Sequence, residues 1–381
     1  MVQNKVSSIS VFEGYALSAQ SPIEIEFYLK TNLSINEPYI ECRECIVYHK
    51  GDLGLLIQNN SLLSTLFIEC INPNVPAFRI TRRINKEYHV QGVIVILRGT
   101  NDFLYRIISI SKSDFWNLAV KTLIKRMYPK ISFIYFRQDE LEKALLSFEK
   151  QLITRFLGKV RLSVIEVTRK SERPSVANNK LKYTDTERSW THSSLGETFL
   201  DLKERGFWFT SLKFKVEKAT KGSYLKNSVG KVYKFGTFSC TNMYEQIRSL
   251  LIEPLELVAS ERMHLLDGRG IIERNYKPGP PLEIVYEENV FETSDMVRKF
   301  GEVLNHYKDA SLVIYHGNPY FHANIADQKD GSSFEIWILS QKRILISPQA
   351  KTSVQALSRA ISFIFDKFKE GIINEYVPRS E

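Results

Sequence analysis

Three groups of side chains in this 381-residue sequence have types and spacings suited to chemistry. The first is a polar run near the C-terminus, where His316 and His322 stand close to Asn318, Asn324, Asp327 and Glu335. Such a mixture suits metal binding or acid–base work. Asp327 and Glu335 also have the character of the acidic pair in a metal-dependent nuclease, where a cation activates the attacking water. That arrangement wants a lysine two positions beyond the second acid, and Trp337 stands there. No third ligand follows at a diagnostic spacing, so the run reads as the solvated face of a β-hairpin, with nuclease chemistry as an alternative.

The second group is Cys42 and Cys45, with the C-x-x-C spacing of half a zinc site. The other half is missing, because Cys70 and Cys240 stand alone. Within a strand, positions three apart point to opposite faces, which suits a shared metal poorly. Neither a metal nor another cofactor is expected. Four cysteines do not make a disulfide framework, and the first residues contain no apolar leader, so a reducing cytoplasm is the expected location.

The third group is the most concentrated. Residues 203–235 hold nine basic residues, including Lys213, Lys215, Lys218, Lys221, Lys226, Lys231 and Lys234. Only Glu204 and Glu217 oppose them, which leaves +7 in this segment against +9 for the whole chain. Aromatic residues are interleaved, among them Phe207, Trp208, Phe209, Phe214, Tyr224, Tyr233 and Phe235. Lysines neutralise phosphates and aromatic faces stack bases, so this composition points to nucleic acid, either DNA or RNA. Smaller basic groups are Arg79, Arg82 and Arg83, then Lys121, Lys125, Arg126 and Lys130, then Arg169, Lys170 and Arg173. The sequence pI near 9.1 agrees with a polyanionic partner.

Elements must position these residues. Residues 23–110 read as a run of strands, among them 23–29 (IEIEFYL) and 53–58 (LGLLIQ). The period then becomes helical. Trp116, Val120, Leu123, Ile124 and Met127 share one face, and Leu141, Leu145, Phe148 and Leu152 share another. Strands are expected at 207–218 and 230–238. In the first, Trp208, Leu212, Phe214 and Val216 alternate onto a buried face, leaving Phe207, Phe209, Lys213 and Lys215 on the other. In the second, Lys231, Tyr233 and Phe235 oppose Val232 and Lys234. The last hundred residues read helix, strands, helix. Asp330-Gly331 supplies a hairpin turn and Ser353 caps a closing helix through Val354, Leu357, Ile361, Ile364, Phe365 and Phe368.

These patterns predict an α+β protein of three parts. The first, 1–155, is an antiparallel β-meander followed by helix–strand–helix. The second, 156–278, is a basic β-hairpin unit with helices, and the third, 279–381, is an α-β-hairpin-α unit. No window is apolar enough for a membrane span. There is no phosphate-binding glycine loop, nucleophile elbow or kinase signature. The expected function is therefore non-catalytic: nucleic-acid binding or scaffolding in a cytoplasmic nucleoprotein assembly. The contacts would be Lys213, Lys215, Lys218, Lys221, Lys226, Lys231 and Lys234, with Phe207, Phe209 and Tyr233 as stacking surfaces. An alternative is an accessory subunit for a catalytic protein partner, such as an Argonaute-like or nuclease effector in prokaryotic antiviral defence.

Overall fold

The computed structural model describes residues 7–378, apart from positions 36, 38, 61, 64, 172–174, 178–179, 183–186, 219–227, 268–278, 318–319 and 350. At 62–63, 175–177 and 218 it describes the backbone alone. The fold is mixed α+β with antiparallel sheets and helices between groups of strands. The residues divide into two compact units.

The first unit comprises residues 1–169, 187–205 and 209–259. Its centre is an antiparallel sheet running from Glu187–Trp190 at one edge, through Val160–Ser171, Phe207–Lys218, Ser228–Tyr233 and Thr237–Cys240, to Ile40–Tyr48. It continues through Leu104–Lys112, His89–Arg98, Ala77–Arg83 and Leu66–Asn72. Ile40–Tyr48 pairs directly with Thr237–Cys240, so the basic hairpin and the N-terminal strands share one sheet across residue 155.

Two segments expected as strands are helices. Pro22–Asn32 is helical, with Pro22 in the first turn, where its missing N–H costs nothing. Its I-E-I-E alternation mimics a strand, but Ile25 and Leu29 are spaced four apart and both are buried. Leu53–Gln58 is a short helix capped by the Asp52 side chain, which accepts from the Leu55 amide at 2.9 Å. The expected strand 230–238 is two strands. A turn at 234–236 breaks it, with Gly236 at φ +57° where a Cβ would press on the Ile134 carbonyl.

The helical faces expected at 116–127 and 141–152 are buried. The first covers a core with Cys45, Val47, Ile94 and Ile107. The second brings Phe148 to 5.6 Å from Phe214. Phe214 in turn lies over Gly230, directly across the hairpin, where any side chain would collide with its ring.

A charged cluster ties helices to the sheet inside this unit. Tyr244 donates to Glu44 at 2.7 Å, Arg106 lies 3.7 Å from Glu44 and 3.2 Å from Glu26, and Arg248 meets Glu256 at 2.6 Å. All except the half-buried Glu26 are buried.

The second unit comprises residues 170–186, 206–208 and 260–381. Its six-stranded antiparallel sheet runs Ala310–His316, His322–Asp327, Ser333–Ser340, Arg343–Pro348, Leu282–Val285, Ile372–Glu375. Helices Ser294–Asn305 and Val354–Lys367 supply the apolar partners of its buried face. Phe300 is the hub there, 5.3 Å from Phe321 and 5.0 Å from Phe368. Gly331 takes φ +73° in the expected turn, and Ser353 accepts from the Ala356 amide at 3.0 Å in the expected cap.

Candidate nucleic-acid interface

The basic hairpin brings Lys213 and Lys231 directly opposite each other, on neighbouring strands of one sheet. Residues opposed in this way share a face, so Lys213 and Lys215, two apart in their strand, lie with Lys231 and Tyr233. All four are half-buried. Lys213 has no acidic partner among the described residues. Lys215 meets Glu217 at 2.9 Å, and Arg161 reaches the same carboxylate at 3.0 Å. These hydrogen bonds outweigh burial and hold the Glu217 carboxyl below its ordinary value.

Lys231 is held more firmly. Its amine lies 2.7 Å from Glu166, which is 1% exposed, and 5.1 Å from the centre of the Tyr233 ring. The other Glu166 oxygen accepts from Arg188 at 2.5 Å. Burial opposes ionisation of Glu166, but hydrogen bonds from Arg188 and Lys231 prevail and keep its carboxyl below the usual glutamate range. One buried carboxylate thus fixes two cations.

A third cation arrives from a different element. Lys121 stands at the start of the helix Lys121–Arg126 and places its amine 5.7 Å from the Tyr233 ring centre. Burial, with Lys125 nearby, pulls its pKa below the ordinary lysine value. Lys125 and Arg126 in the next turn are exposed. Lys121, Lys213, Lys215, Lys231, Arg161 and Arg188 set six cations against Glu166 and Glu217, a net +4.

Two residues expected on this surface are buried. Phe209 is 0% exposed and stacks on Phe199, ring centres 5.9 Å apart, within the core. Alternation fails because Trp208 and Phe209 are buried in succession. Lys234 is 1% exposed, with its amine 5.8 Å from the Tyr135 ring. It sits in the turn rather than in the strand, and its carbonyl accepts from the Phe136 amide at 2.7 Å. Phe207 is half-buried. Lys221 and Lys226 lie outside the described residues, and Lys218 is described by its backbone alone. Trp208, Leu212, Phe214 and Val216 are buried, as their alternation implies.

Sequence reading passed over Glu166, Arg188 and Trp190. Trp190 is 68% exposed, and the Arg188 guanidinium lies 5.0 Å from its ring centre. Strand Glu187–Trp190 pairs with Val160–Ser171, placing Trp190 opposite Glu166. The spacing R-x-W, two residues on one strand face, is the only local signal.

The other basic groups have structural partners. Arg79 bridges Glu13 and Glu69, each at 2.8 Å. Arg82 donates to Thr122 at 2.5 Å. Arg169 is buried and pairs with Glu187 and Asp201. Lys170 meets Asp366 at 2.7 Å. Arg173 lies outside the described residues.

The remaining candidate chemistry is dispersed. Asp327 is buried and accepts from Arg359 at 2.7 Å and from the Lys329 amide at 2.8 Å. Glu335 pairs across from Asn324, on the opposite sheet face from Asp327 and its same-face neighbours Ala323 and Ile325. The two acids therefore share no ligand position. His322 stacks on Trp337, ring centres 3.4 Å apart, with its Nε2 3.4 Å from Glu335. His316 is exposed on the edge strand, and Asn318 lies outside the described residues. Cys42 and Cys45 are buried and free, with Cys42 opposite Cys240. Among the described residues no group of three or more His, Cys, Asp or Glu could hold a metal ion, and no helix is long and apolar enough to cross a membrane.

No family model matches the sequence, and no curated protein matches it.

Proposed function

We propose that the protein binds nucleic acid through the sheet face carrying Lys213, Lys215, Lys231 and Tyr233, with Lys121 at its margin. The observation that carries this reading is the pairing of Lys213 with Lys231. Glu166 offsets the charge of Lys231, which leaves the opposed Lys213 as the cation an approaching phosphate can pair with. Lys213 has no carboxylate partner of its own among the described residues. The surrounding cations leave the face at +4, and among the described residues none there has the geometry of a nucleophile with its base. Binding without cleavage follows.

The affinity should be steeply salt-dependent. Lys121, Lys125 and Lys213 have no carboxylate partner among the described residues, and Lys215 shares Glu217 with Arg161. Four phosphate contacts on a single strand correspond to a slope of roughly −3 in log affinity against log salt. Affinity for a labelled oligonucleotide should then fall roughly 60-fold between about 50 and 200 mM salt. Fluorescence anisotropy measures this. A flat salt dependence, or no binding at the lower salt, overturns the proposal.

A further inference from the structure

Resting on that reading, we infer that the bound nucleic acid is single-stranded and that one of its bases stacks on Trp190. Trp190 is 68% exposed at the sheet edge, and its ring offers a stacking face to an unpaired base. Trp190 is also oriented. Arg188 lies over its ring and is anchored at its far end by the buried Glu166 carboxylate. The same carboxylate holds Lys231 against Tyr233. The aromatic surface and the lysine surface are thus joined through one fixed anion.

Spacing favours an extended strand. Glu187–Trp190 and Ser228–Tyr233 are separated by the strands Val160–Ser171 and Phe207–Lys218. Three inter-strand steps of about 4.8 Å place the two aromatic positions roughly 14 Å apart. That span suits two or three nucleotides of an extended chain, with phosphates passing Lys231 and Lys213 between them. A duplex keeps its bases stacked on one another and offers no free base to the indole, whereas an unpaired base presents a π-face of any sequence. The ligand class is therefore single-stranded DNA or RNA recognised without sequence preference.

Tryptophan emission reads this contact. Trp116 and Trp208 are buried and Trp337 is half-buried, so Trp190 is the tryptophan open to a base. Titration of the intact protein with a thymidine 12-mer should quench part of the emission. The matching duplex should bind more weakly and quench less. Trp190→Ala should abolish that quenching and weaken single-strand affinity about 5- to 140-fold, the range for loss of one stacked base, while leaving duplex affinity unchanged. Trp190→Phe should lose the quenching and keep most of the affinity. Salt-dependent binding that favours duplex, or is indifferent to Trp190→Ala, overturns this inference and leaves the lysine-face reading standing. Binding to neither form overturns both.

Discussion

Replacing Lys213 and Lys215 together with glutamate should reduce oligonucleotide affinity roughly 100- to 1,000-fold at physiological salt. At contact distance in water a unit charge pair is worth about 1 kcal/mol, so each reversal removes about 1 kcal/mol of attraction and adds as much repulsion. Two sites give about 4 kcal/mol before screening, which salt then reduces. The fold should tolerate the change. Both side chains are half-buried, and the Lys215–Glu217 pair is of the partly exposed kind, worth at most about 1 kcal/mol. A glutamate at 213 faces Lys231 instead of a like charge. Urea unfolding should give a midpoint close to that of the parent while anisotropy shows the loss. Retained affinity in a folded double variant rules the lysine face out as the binding surface.

The second large effect concerns stability. Arg248→Leu should destabilise the first unit by about 3–5 kcal/mol at neutral pH, the cost of leaving a buried carboxylate without its partner. Glu256 is 0% exposed and accepts from Arg248 at 2.6 Å and from the Thr100 amide at 3.0 Å. Arg248 itself carries buried Nε and Nη1 atoms without hydrogen-bond partners among the described residues, and their removal offsets part of the cost. The stranded Glu256 charge still outweighs that gain. The pH dependence follows from the direction of the Glu256 shift. Burial is the leading cause and already raises its pKa against the pull of Arg248 and Arg106. Loss of Arg248 raises it further. A carboxyl whose folded value lies above the unfolded one contributes stability that is present below the unfolded pKa and lost as pH rises through the folded value. The deficit of Arg248→Leu should therefore be greatest near neutral pH and shrink as pH falls toward the ordinary glutamate range. Glu256→Gln keeps an acceptor for Thr100 and should cost less than Arg248→Leu at neutral pH. Denaturant unfolding at two pH values checks both statements. An equal deficit at both would show that Glu256 is already neutral in the native protein.

The α+β character and the strongest periodic elements were legible from local pattern. Leu357, Ile361, Ile364 and Phe365 are buried on the closing helix, and Phe214 and Val216 alternate inward on the basic strand. Helix Pro22–Asn32 was not legible as one, because Glu24 and Glu26 alternating with Ile23, Ile25 and Phe27 satisfy a period of two, while Ile25 and Leu29 satisfy a spacing of four. The chain resolves that ambiguity by burying the second set. The site was half-visible. Composition located the lysines, and the hairpin pairing aligned two of them. Composition could not show that Lys234 falls in a turn, or that Phe209 joins Phe199 in the core. Nor could it place Trp190, whose position depends on pairing with residues some twenty positions earlier. Long-range pairing, rather than propensity, decides which side chains of a basic segment reach the surface.

Lysine footprinting can locate the bound strand on the protein surface. Brief acetylation of the intact protein, with and without a saturating single-stranded oligonucleotide, is read by mass spectrometry at each lysine. Lys121, Lys213 and Lys215 should lose most of their reactivity on binding. Lys143, 81% exposed on a helix in the same unit, and Lys299 in the second unit should react as before. Protection confined to Lys143, Lys299 or other distant lysines, with Lys213 and Lys215 fully reactive at saturation, would contradict binding through the lysine face.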